Sequence, residues 1–302
     1  MGWKTFVLAR PVRRYHSSKI PAILLILVTA FSAVAGDSPT PRILMVGDSW
    51  AWFMFINHSL RDALADSGLG QYIEEGTYST VPGSTVAQWT NPLWLAQITR
   101  ELERNPSIGI VHLSLTGNDF LREWTIEMSD AERDALFTRI VRDLETVVRH
   151  CLSVRPDVRV AIVGYDYINK SKGRASLQQL NEAGMILAGM KRDLAARLNR
   201  CEYIQSYGAM HHYFGFPPKI PAGRLPLPGQ APDFQPWPGG DRKKGNPPEA
   251  MFDDIHLSAK GYYYLGRLCV DTLYRCWLTE DAPAATQTAT EQQPAAVMAT
   301  GR

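Results

Sequence analysis

Apolar runs suited to buried strands alternate with helical patterns along this chain. The runs lie at 43–46, 108–115, 158–163 and, more briefly, 203–205. Between and after them, apolar residues recur at spacings of three and four, led by Leu95, Leu136, Leu177 and Tyr262. Continuous apolar strands separated by amphipathic helices predict an α/β fold, with a parallel sheet covered by helices on both faces.

The first 35 residues have the pattern of an export signal. A basic leader with Arg10, Arg13, Arg14 and Lys19 precedes an apolar stretch, 20–34, which ends in the small-x-small sequence Ala33-Val34-Ala35. That stretch is short against the ~20 residues of a bilayer span. We therefore expect cleavage after Ala35, a periplasmic or secreted protein, and no stable membrane span after cleavage. Retention as an anchor is the alternative.

Removing the signal changes the charge of the chain. It takes away five basic residues and no acids, so 32 basic residues fall to 27 against 30 acidic ones, a net charge of −3. This balance offers no basic patch for nucleic acid. The remaining 267 residues suit one domain at 36–280, followed at 281–302 by a tail rich in Ala, Thr, Gln and Pro that is predicted to be disordered.

Two further features bear on the domain. The segment 209–252 holds half of the chain's 20 prolines and no periodicity, and we expect it to form part of a site wall. Cys269 and Cys276 lie seven residues apart on one predicted helix, ~10 Å along its axis, which is too far for a bridge between them. We expect a Cys201–Cys276 bridge, with buried free thiols as the alternative.

Polar residues capable of chemistry follow the predicted strands. Ser49 lies in Gly47-Asp48-Ser49-Trp50, directly after the first apolar run, and Asn118 lies in Thr116-Gly117-Asn118-Asp119, directly after the second. The sequence Asp253-Asp254-Ile255-His256 precedes the last helix. Strand carboxyl ends and helix amino ends gather at one edge of a parallel sheet, so these groups are expected to meet there.

These residue types fit acyl transfer. A serine hydroxyl needs a base, and His256 is the candidate because its ordinary pKa lies near neutrality. Asp253, three residues earlier, would orient the imidazole and stabilise its charged form. The backbone N–H groups of Ser49 and Gly83, with the side-chain amide of Asn118, would bind the oxyanion.

At these positions the chain resembles the SGNH hydrolases, also called the GDSL family of esterases and lipases. The matching blocks are Gly47-Asp48-Ser49, Gly83, Gly117-Asn118-Asp119 and Asp253-x-x-His256, in the family's order across roughly 42–278. The resemblance implies a three-layer α/β/α sandwich with a flavodoxin-like parallel sheet, and it implies no required metal or cofactor. It also implies Ser49 as nucleophile, His256 as base and Asp253 as its partner, with Gly83 and Asn118 completing the oxyanion hole.

The sequence departs from the family pattern at Trp50, where a leucine-type residue is usual, and the block around Gly83 is the most degenerate. Trp50 is either a core residue or an apolar lip beside Ser49. With Tyr165 and Tyr167, it is a candidate for binding substrate.

Other polar residues compete for roles. Asp254 is a second candidate partner for His256, but the spacing favours Asp253. Asp48 and Asp119 are expected to be turn or cap residues. His112, inside an apolar run, is expected to be a core histidine. The pair His211-His212 is a candidate for the pocket lining, without a third residue spaced to complete a metal site.

We expect an exported serine esterase acting on small-molecule, lipid or glycan esters. A cell-envelope polysaccharide O-acetyltransferase that uses the same triad is the main alternative. A binding module on a hydrolase scaffold is the third.

Overall fold

The computed structural model describes residues 38–215 and 243–280. Within them a five-stranded sheet has the order β2-β1-β3-β4-β5, and every neighbouring pair is parallel. The strands are β1 (Thr40–Gly47), β2 (Tyr72–Glu75), β3 (Ile110–Ser114), β4 (Arg159–Val163) and β5 (Cys201–Ile204). This is the strand order of flavodoxin-like sheets, so the predicted fold class is confirmed.

Helices connect the strands and cover both faces of the sheet. They are α1 (Ser49–Ile56), α2 (Ser59–Asp66), α3 (Val86–Trp89), α4 (Pro92–Arg104), α5 (Gly117–Glu123), α6 (Asp130–Val154), α7 (Leu177–Ala196), α8 (Ala209–Tyr213), α9 (Ala259–Cys269) and α10 (Arg275–Glu280). Polar N-caps begin several of them: Ser129 and Ser176 form capping boxes at α6 and α7.

Alternation along the strands divides the core into two layers. In β1, Leu44 and Val46 contribute to the cluster with α3 to α7, while Ile43 and Met45 contribute to the cluster with α1, α2 and α8 to α10. All four side chains are fully buried. A strand covered on both faces has no polar side to present, which explains the continuous apolar run.

The pattern of apolar runs did not single out β2, and its composition explains why. Tyr72-Ile73-Glu74-Glu75 is half acidic, and β2 is an edge strand that pairs only with β1. The Glu74 side chain is nevertheless buried, with Arg61 Nε 3.8 Å from its carboxylate. Burial raises the pKa of Glu74 to about 7, against a smaller opposing effect of Arg61.

The last predicted helix is interrupted. Between α9 and α10, residues Val270–Tyr274 form a π-helical turn. Tyr274, at its end, is fully buried and its hydroxyl lies 2.9 Å from His112 Nδ1. A single π turn inserts one residue into a helix and so turns the following side chains.

The predicted Cys201–Cys276 bridge is not formed. All four cysteines, which lie within the described residues, are free thiols. Cys201 is buried at the start of β5, whereas Cys276 is exposed and its Sγ donates to the Glu280 carboxylate at 2.9 Å. The alternative of buried free thiols holds for Cys151, Cys201 and Cys269.

The Pro-rich segment is partly ordered where the structure describes it. Its first residues form α8 instead of an irregular loop, and a short 3-10 turn covers Pro248–Ala250. Residues 216–242 lie outside the described residues, as do the predicted signal at 1–35 and the tail at 281–302. In the part of the chain that is described, no helix has the length and apolarity needed to cross a bilayer.

The buried Glu74 carboxylate predicts a pH-dependent stability. Its folded pKa is raised above the unfolded value, so stability present below about pH 4.5 is lost as pH rises through about 7. Glu74→Gln, which cannot ionise, should gain up to about 3 kcal/mol of unfolding free energy relative to wild type between these pH values. Urea unfolding across this range measures the difference.

The neighbouring Glu75 gives a matched control with the opposite trend. Hydrogen bonds from Thr77 and Gly76 outweigh its partial burial and lower its pKa. Its stabilising effect is therefore present above about pH 4.5 and is lost as pH falls. Glu75→Gln should be less stable than wild type near neutrality and equal to it in acid. If the unfolding free energies of both variants, relative to wild type, changed with pH in the same direction, the opposite pKa shifts assigned to Glu74 and Glu75 would be contradicted.

Candidate active site

The turn after β1 is held tightly against β3. Asp48 N–H donates to the Ser114 carbonyl at 3.0 Å, and Gly47 N–H donates to the Ser79 carbonyl at 2.9 Å. A Cβ on Gly47 would lie 2.2 Å from Ser114 O, so only glycine permits this approach. The turn places half-buried Ser49 at the first position of α1, at the carboxyl edge of the sheet.

Ser49, His256 and Asp253 form a continuous hydrogen-bonded chain. Ser49 Oγ lies 2.8 Å from His256 Nε2, and His256 Nδ1 lies 2.8 Å from Asp253 Oδ2. A carboxylate only accepts hydrogen bonds, so it assigns the ring proton to Nδ1 and leaves Nε2 to accept from the Ser49 hydroxyl. The structure thus brings together the three residues predicted to form the triad.

A short loop holds His256 in position. Asp253 Oδ1 accepts from the N–H groups of Ile255 at 2.7 Å and His256 at 2.6 Å. Burial alone would raise the pKa of Asp253, but hydrogen bonds from the His256 side chain and from both N–H groups outweigh it and lower the pKa. The ring of Phe53 lies 4.8 Å from the His256 ring, centroid to centroid. Asp253 therefore stays ionised beside the imidazole.

The predicted oxyanion donors lie on the same cavity as Ser49. Gly83 has φ +78°, a conformation that favours glycine, and its carbonyl accepts from Arg122 at 2.8 Å. The Asn118 amide donates one hydrogen to the Ser84 carbonyl at 2.9 Å, which leaves its second hydrogen for a ligand. Among the described residues, the N–H groups of Ser49 and Gly83 have no hydrogen-bond acceptor.

The segment before Asn118 is strained. Thr116 has φ +100°, a left-handed conformation that costs a β-branched residue energy. It directly precedes Gly117, whose N–H donates to the Tyr165 hydroxyl at 3.1 Å. The Asp119 carboxylate, in turn, accepts from Val86 N–H at 2.8 Å and so holds the start of α3 beside α5. Asp119 therefore bonds the first N–H group of α3, whose N-cap is Thr85, and does not cap its own helix.

Asp48 is buried directly beneath the serine turn. Its carboxylate accepts from Trp50 N–H at 3.0 Å, which caps α1, and from the Tyr165 hydroxyl at 2.6 Å. Burial raises the pKa of Asp48 to about 6 despite these bonds and despite nearby Lys191. The expected cap role is therefore confirmed, with an additional link to the end of β4.

One cavity of about 390 Å³ opens at Ser49 and His256. The Asn118 side of its wall is formed by α5, and a stripe of α7 that ends at Lys191 forms another side. Its volume lies within the range of small-molecule sites. Of the described residues within 209–252, none lines this cavity. The Pro-rich segment was expected to form part of the site wall, and its described part does not.

The structure separates the three residues predicted to bind substrate. Trp50 lines the cavity but is only 4% exposed, packed edge-on against Tyr165 and Tyr262, so it is a core residue and not a lip. Tyr165 lines the cavity as well. Tyr167 is fully buried in a small cluster with Tyr207 and does not line the cavity.

The competing histidines lie elsewhere. His112 is buried, and burial lowers its pKa to about 3, which confirms the core interpretation. His211 is buried and bonded to the Gly245 carbonyl, away from the cavity lining. Over the ranges 38–215 and 243–280, no group of three or more His, Cys, Asp or Glu side chains could hold a metal ion.

Two features of the site were missed from sequence. Trp52 and Phe53, both half-buried, line the cavity on the α1 side where Trp50 had been the candidate lip. Lys191 is 2% exposed on the cavity wall. A signal for Lys191 was present, because it lies four residues after Leu187 and three before Leu194, on the apolar stripe of α7.

The sequence matches no protein-family profile and no curated protein. It is similar to solved structures, among them a lipopolysaccharide acetyltransferase periplasmic domain from Salmonella ser. Paratyphi A (17% identity, TM-score 0.49, covering 78% of this chain and 85% of that one). A carbohydrate acetylesterase from Sinorhizobium meliloti follows (14%, 0.45, 78% and 99%), with a GDSL-like lipase from Bacteroides thetaiotaomicron (14%, 0.44, 79% and 88%). Such distant likenesses do not determine activity.

Proposed function

We propose that this chain is a serine esterase of the SGNH type that hydrolyses carboxylic esters through an acyl-enzyme. The observation that carries the proposal is the chain of two 2.8 Å contacts from Ser49 through His256 to Asp253. Ser49 and His256 line a cavity that is also lined by Gly83 and Asn118. The four sequence blocks that resemble the SGNH hydrolases supply all of these residues.

In the first half of the reaction, Ser49 Oγ attacks the ester carbonyl carbon and its proton passes to His256 Nε2. The negative charge on the carbonyl oxygen is stabilised by the N–H groups of Ser49 and Gly83 and by the Asn118 amide. Asp253 stabilises the imidazolium through Nδ1. The bond to the alcohol oxygen then breaks, and the alcohol leaves with the proton from Nε2.

In the second half, water attacks the acyl-enzyme carbonyl and gives a proton to His256 Nε2. The same donors hold the second oxyanion. The acyl–Oγ bond breaks, the carboxylic acid leaves, and Oγ recovers its proton from Nε2. A sugar hydroxyl in place of water would make the protein an O-acetyltransferase. Release of labelled acetate as free acid in the presence of a polysaccharide acceptor, without transfer, distinguishes the hydrolase.

The nucleophile and its relay predict distinct losses. Ser49→Ala should lower kcat/KM for p-nitrophenyl butyrate at least ~10³-fold and abolish labelling by a fluorophosphonate. Asp253→Asn should lower kcat/KM ~10²- to 10⁴-fold. The amide N–H would donate to His256 Nδ1, so the ring proton would move to Nε2, which could then no longer accept the Ser49 proton.

Asp254→Asn is the matched control for the relay, one residue away, and should retain wild-type kcat/KM. An unchanged Tm for each variant excludes misfolding. Ester hydrolysis that persists in Ser49→Ala, or equal losses in Asp253→Asn and Asp254→Asn, would contradict the proposed triad.

The oxyanion role of Asn118 predicts a loss confined to the chemical step. Asn118→Ala should lower kcat by ~10²- to 10³-fold with little change in KM. Asn105→Ala is the control, because the Asn105 amide also donates to a backbone carbonyl, that of Glu101 at 3.1 Å, at the C-terminal end of α4. A rise in KM alone for Asn118→Ala would assign the residue to ground-state binding.

We further propose that the protein is exported, on the basis of its N-terminal sequence. Expressed in a bacterial host, it should be recovered from the periplasm or medium with Gly36 as its first residue. Recovery only from the cytoplasm with an intact N-terminus would contradict export. Recovery in membranes with residues 1–35 retained would favour the anchor.

A further inference from the structure

The inner wall of the active-site cavity carries a buried cation. Lys191 lies on α7 and is 2% exposed, and its side chain lines the cavity. Its Nζ lies 4.8 Å from the ring centroid of Tyr165 and 5.9 Å from that of Tyr203. No described residue accepts a hydrogen bond from this ammonium. A buried charge without hydrogen bonds is costly, and lysine is rarely found in that state.

The carboxylates of the same cavity are satisfied by contrast. Asp48 accepts from Trp50 N–H and from the Tyr165 hydroxyl. Asp166 accepts from the N–H groups of Tyr167, Gly208 and Met210 at 2.6–2.8 Å. Among the charged groups of the described cavity wall, Lys191 is therefore the one whose hydrogen-bonding capacity is open to a ligand.

The α7 side of the wall beside Lys191 is mainly apolar. One stripe of α7 lines the cavity, and it consists of Leu180, Asn181, Gly184, Leu187, Ala188 and Lys191. The Lys191 ammonium lies beside the ring of Tyr165, and the Tyr165 hydroxyl bonds Asp48 next to Ser49. A short ester chain bound at Ser49 can therefore pack on the aliphatic side chains of α7 and reach the ammonium.

We propose that Lys191 forms a polar subsite that selects esters whose buried part ends in an oxygen acceptor, such as a carbonyl or carboxylate oxygen. This deepens the proposed esterase function and rests on it for the reaction. The ammonium would donate to that oxygen, while the α7 stripe packs on the intervening carbons. An ester of the same shape with a methyl group at that position leaves the ammonium without an acceptor.

A purely structural role for Lys191 is the competing interpretation. Asp48 lies near enough to interact with it electrostatically, and burial lowers the pKa of Lys191 to about 8 while Asp48 opposes the shift. Lys191 is then charged at neutral pH and compensates Asp48. Such a role affects all substrates alike, so the discriminating quantity is a ratio between matched substrates.

Two isosteric ester pairs place the acceptor on either half of the substrate. The acyl pair is p-nitrophenyl 4-oxopentanoate and p-nitrophenyl 4-methylpentanoate, in which a carbonyl oxygen replaces a methyl group. The alcohol pair is 3-oxobutyl acetate and 3-methylbutyl acetate, followed by acetate release. Wild type should prefer the oxo ester of one pair by about tenfold or more in kcat/KM. The preferred pair identifies which half enters the cavity.

The preference should depend on Lys191. Lys191→Met, of similar length and uncharged, should bring the ratio to one or below. If Lys191→Met does not fold, Lys191→Gln is tested in its place. Lys260→Met is the matched control, because the Lys260 ammonium also lies near two aromatic rings, Phe214 and Tyr264, but is exposed outside the cavity. It should retain the wild-type ratio.

Binding measurements test this inference separately from the proposed reaction. The esters of both pairs are titrated into the Ser49→Ala variant, which should bind them without cleavage, and their affinities are measured by calorimetry. Tighter binding of one oxo ester, lost on adding Lys191→Met, supports the subsite whether or not hydrolysis is seen. Equal binding of oxo and methyl esters in both pairs overturns it, as does a preference that survives Lys191→Met. Failure of wild type to hydrolyse any ester contradicts the proposed function alone.

Discussion

The site depends on one buried carboxylate, that of Asp48. Its two oxygens accept from Trp50 N–H and from the Tyr165 hydroxyl, and that hydroxyl accepts from Gly117 N–H. Asp48 follows β1, Tyr165 follows β4, and Gly117 begins the helix after β3. One carboxylate therefore links three strand ends at the edge where Ser49 and Asn118 must meet. Hydrogen bonds made in a buried environment are costly to break, which makes this link rigid.

Parallel topology explains why so few contacts suffice. In the strand order β2-β1-β3-β4-β5, β1 and β3 are neighbours, and the helical connections from these two strands lead toward opposite edges of the sheet. The carboxyl ends of β1 and β3 therefore border the crevice where α/β sheets bind ligands. Ser49 and Asn118 leave from these points, and the loop before α9 brings His256 to the same edge. The sheet sets the distances between elements to within a few ångströms, and the polar contacts of the turn, such as Asp48 N–H to Ser114, set the rest.

Much of this arrangement could be predicted from the sequence, because buried parallel strands and amphipathic helices leave clear patterns. The runs that became β1, β3, β4 and β5 are examples, and the order of polar residues after them indicated which side chains would meet. The edge strand β2 escaped prediction because its acidic residues do not resemble a buried run. The environment of Glu74 depends on Arg61, which lies on α2 and is distant in sequence.

Orientation was harder to predict than position. Trp50, Trp52 and Phe53 crowd the start of α1, and no local rule indicates which of them faces the cavity. Helical geometry and packing against Tyr262 bury Trp50 and leave the other two at the wall. The Cys201–Cys276 prediction was wrong for a similar reason, because proximity along one sheet edge does not determine where side chains point. Exposed Cys276 points to Glu280 on its own helix.

The two sets of charged groups at this site are separated by depth, and their chemistry explains the separation. Asp253 and His256 lie at the rim, where the Asp253 side chain is 46% exposed. In the proposed reaction His256 takes and returns a proton in each turnover, and polar surroundings stabilise its charged state. Asp48 and Lys191 lie inside, where burial shifts the pKa values of both toward neutrality. Low polarity strengthens each electrostatic contact there, which suits groups that position a turn or, in the proposed subsite, bind a substrate oxygen, and that keep their charge in the proposed reaction.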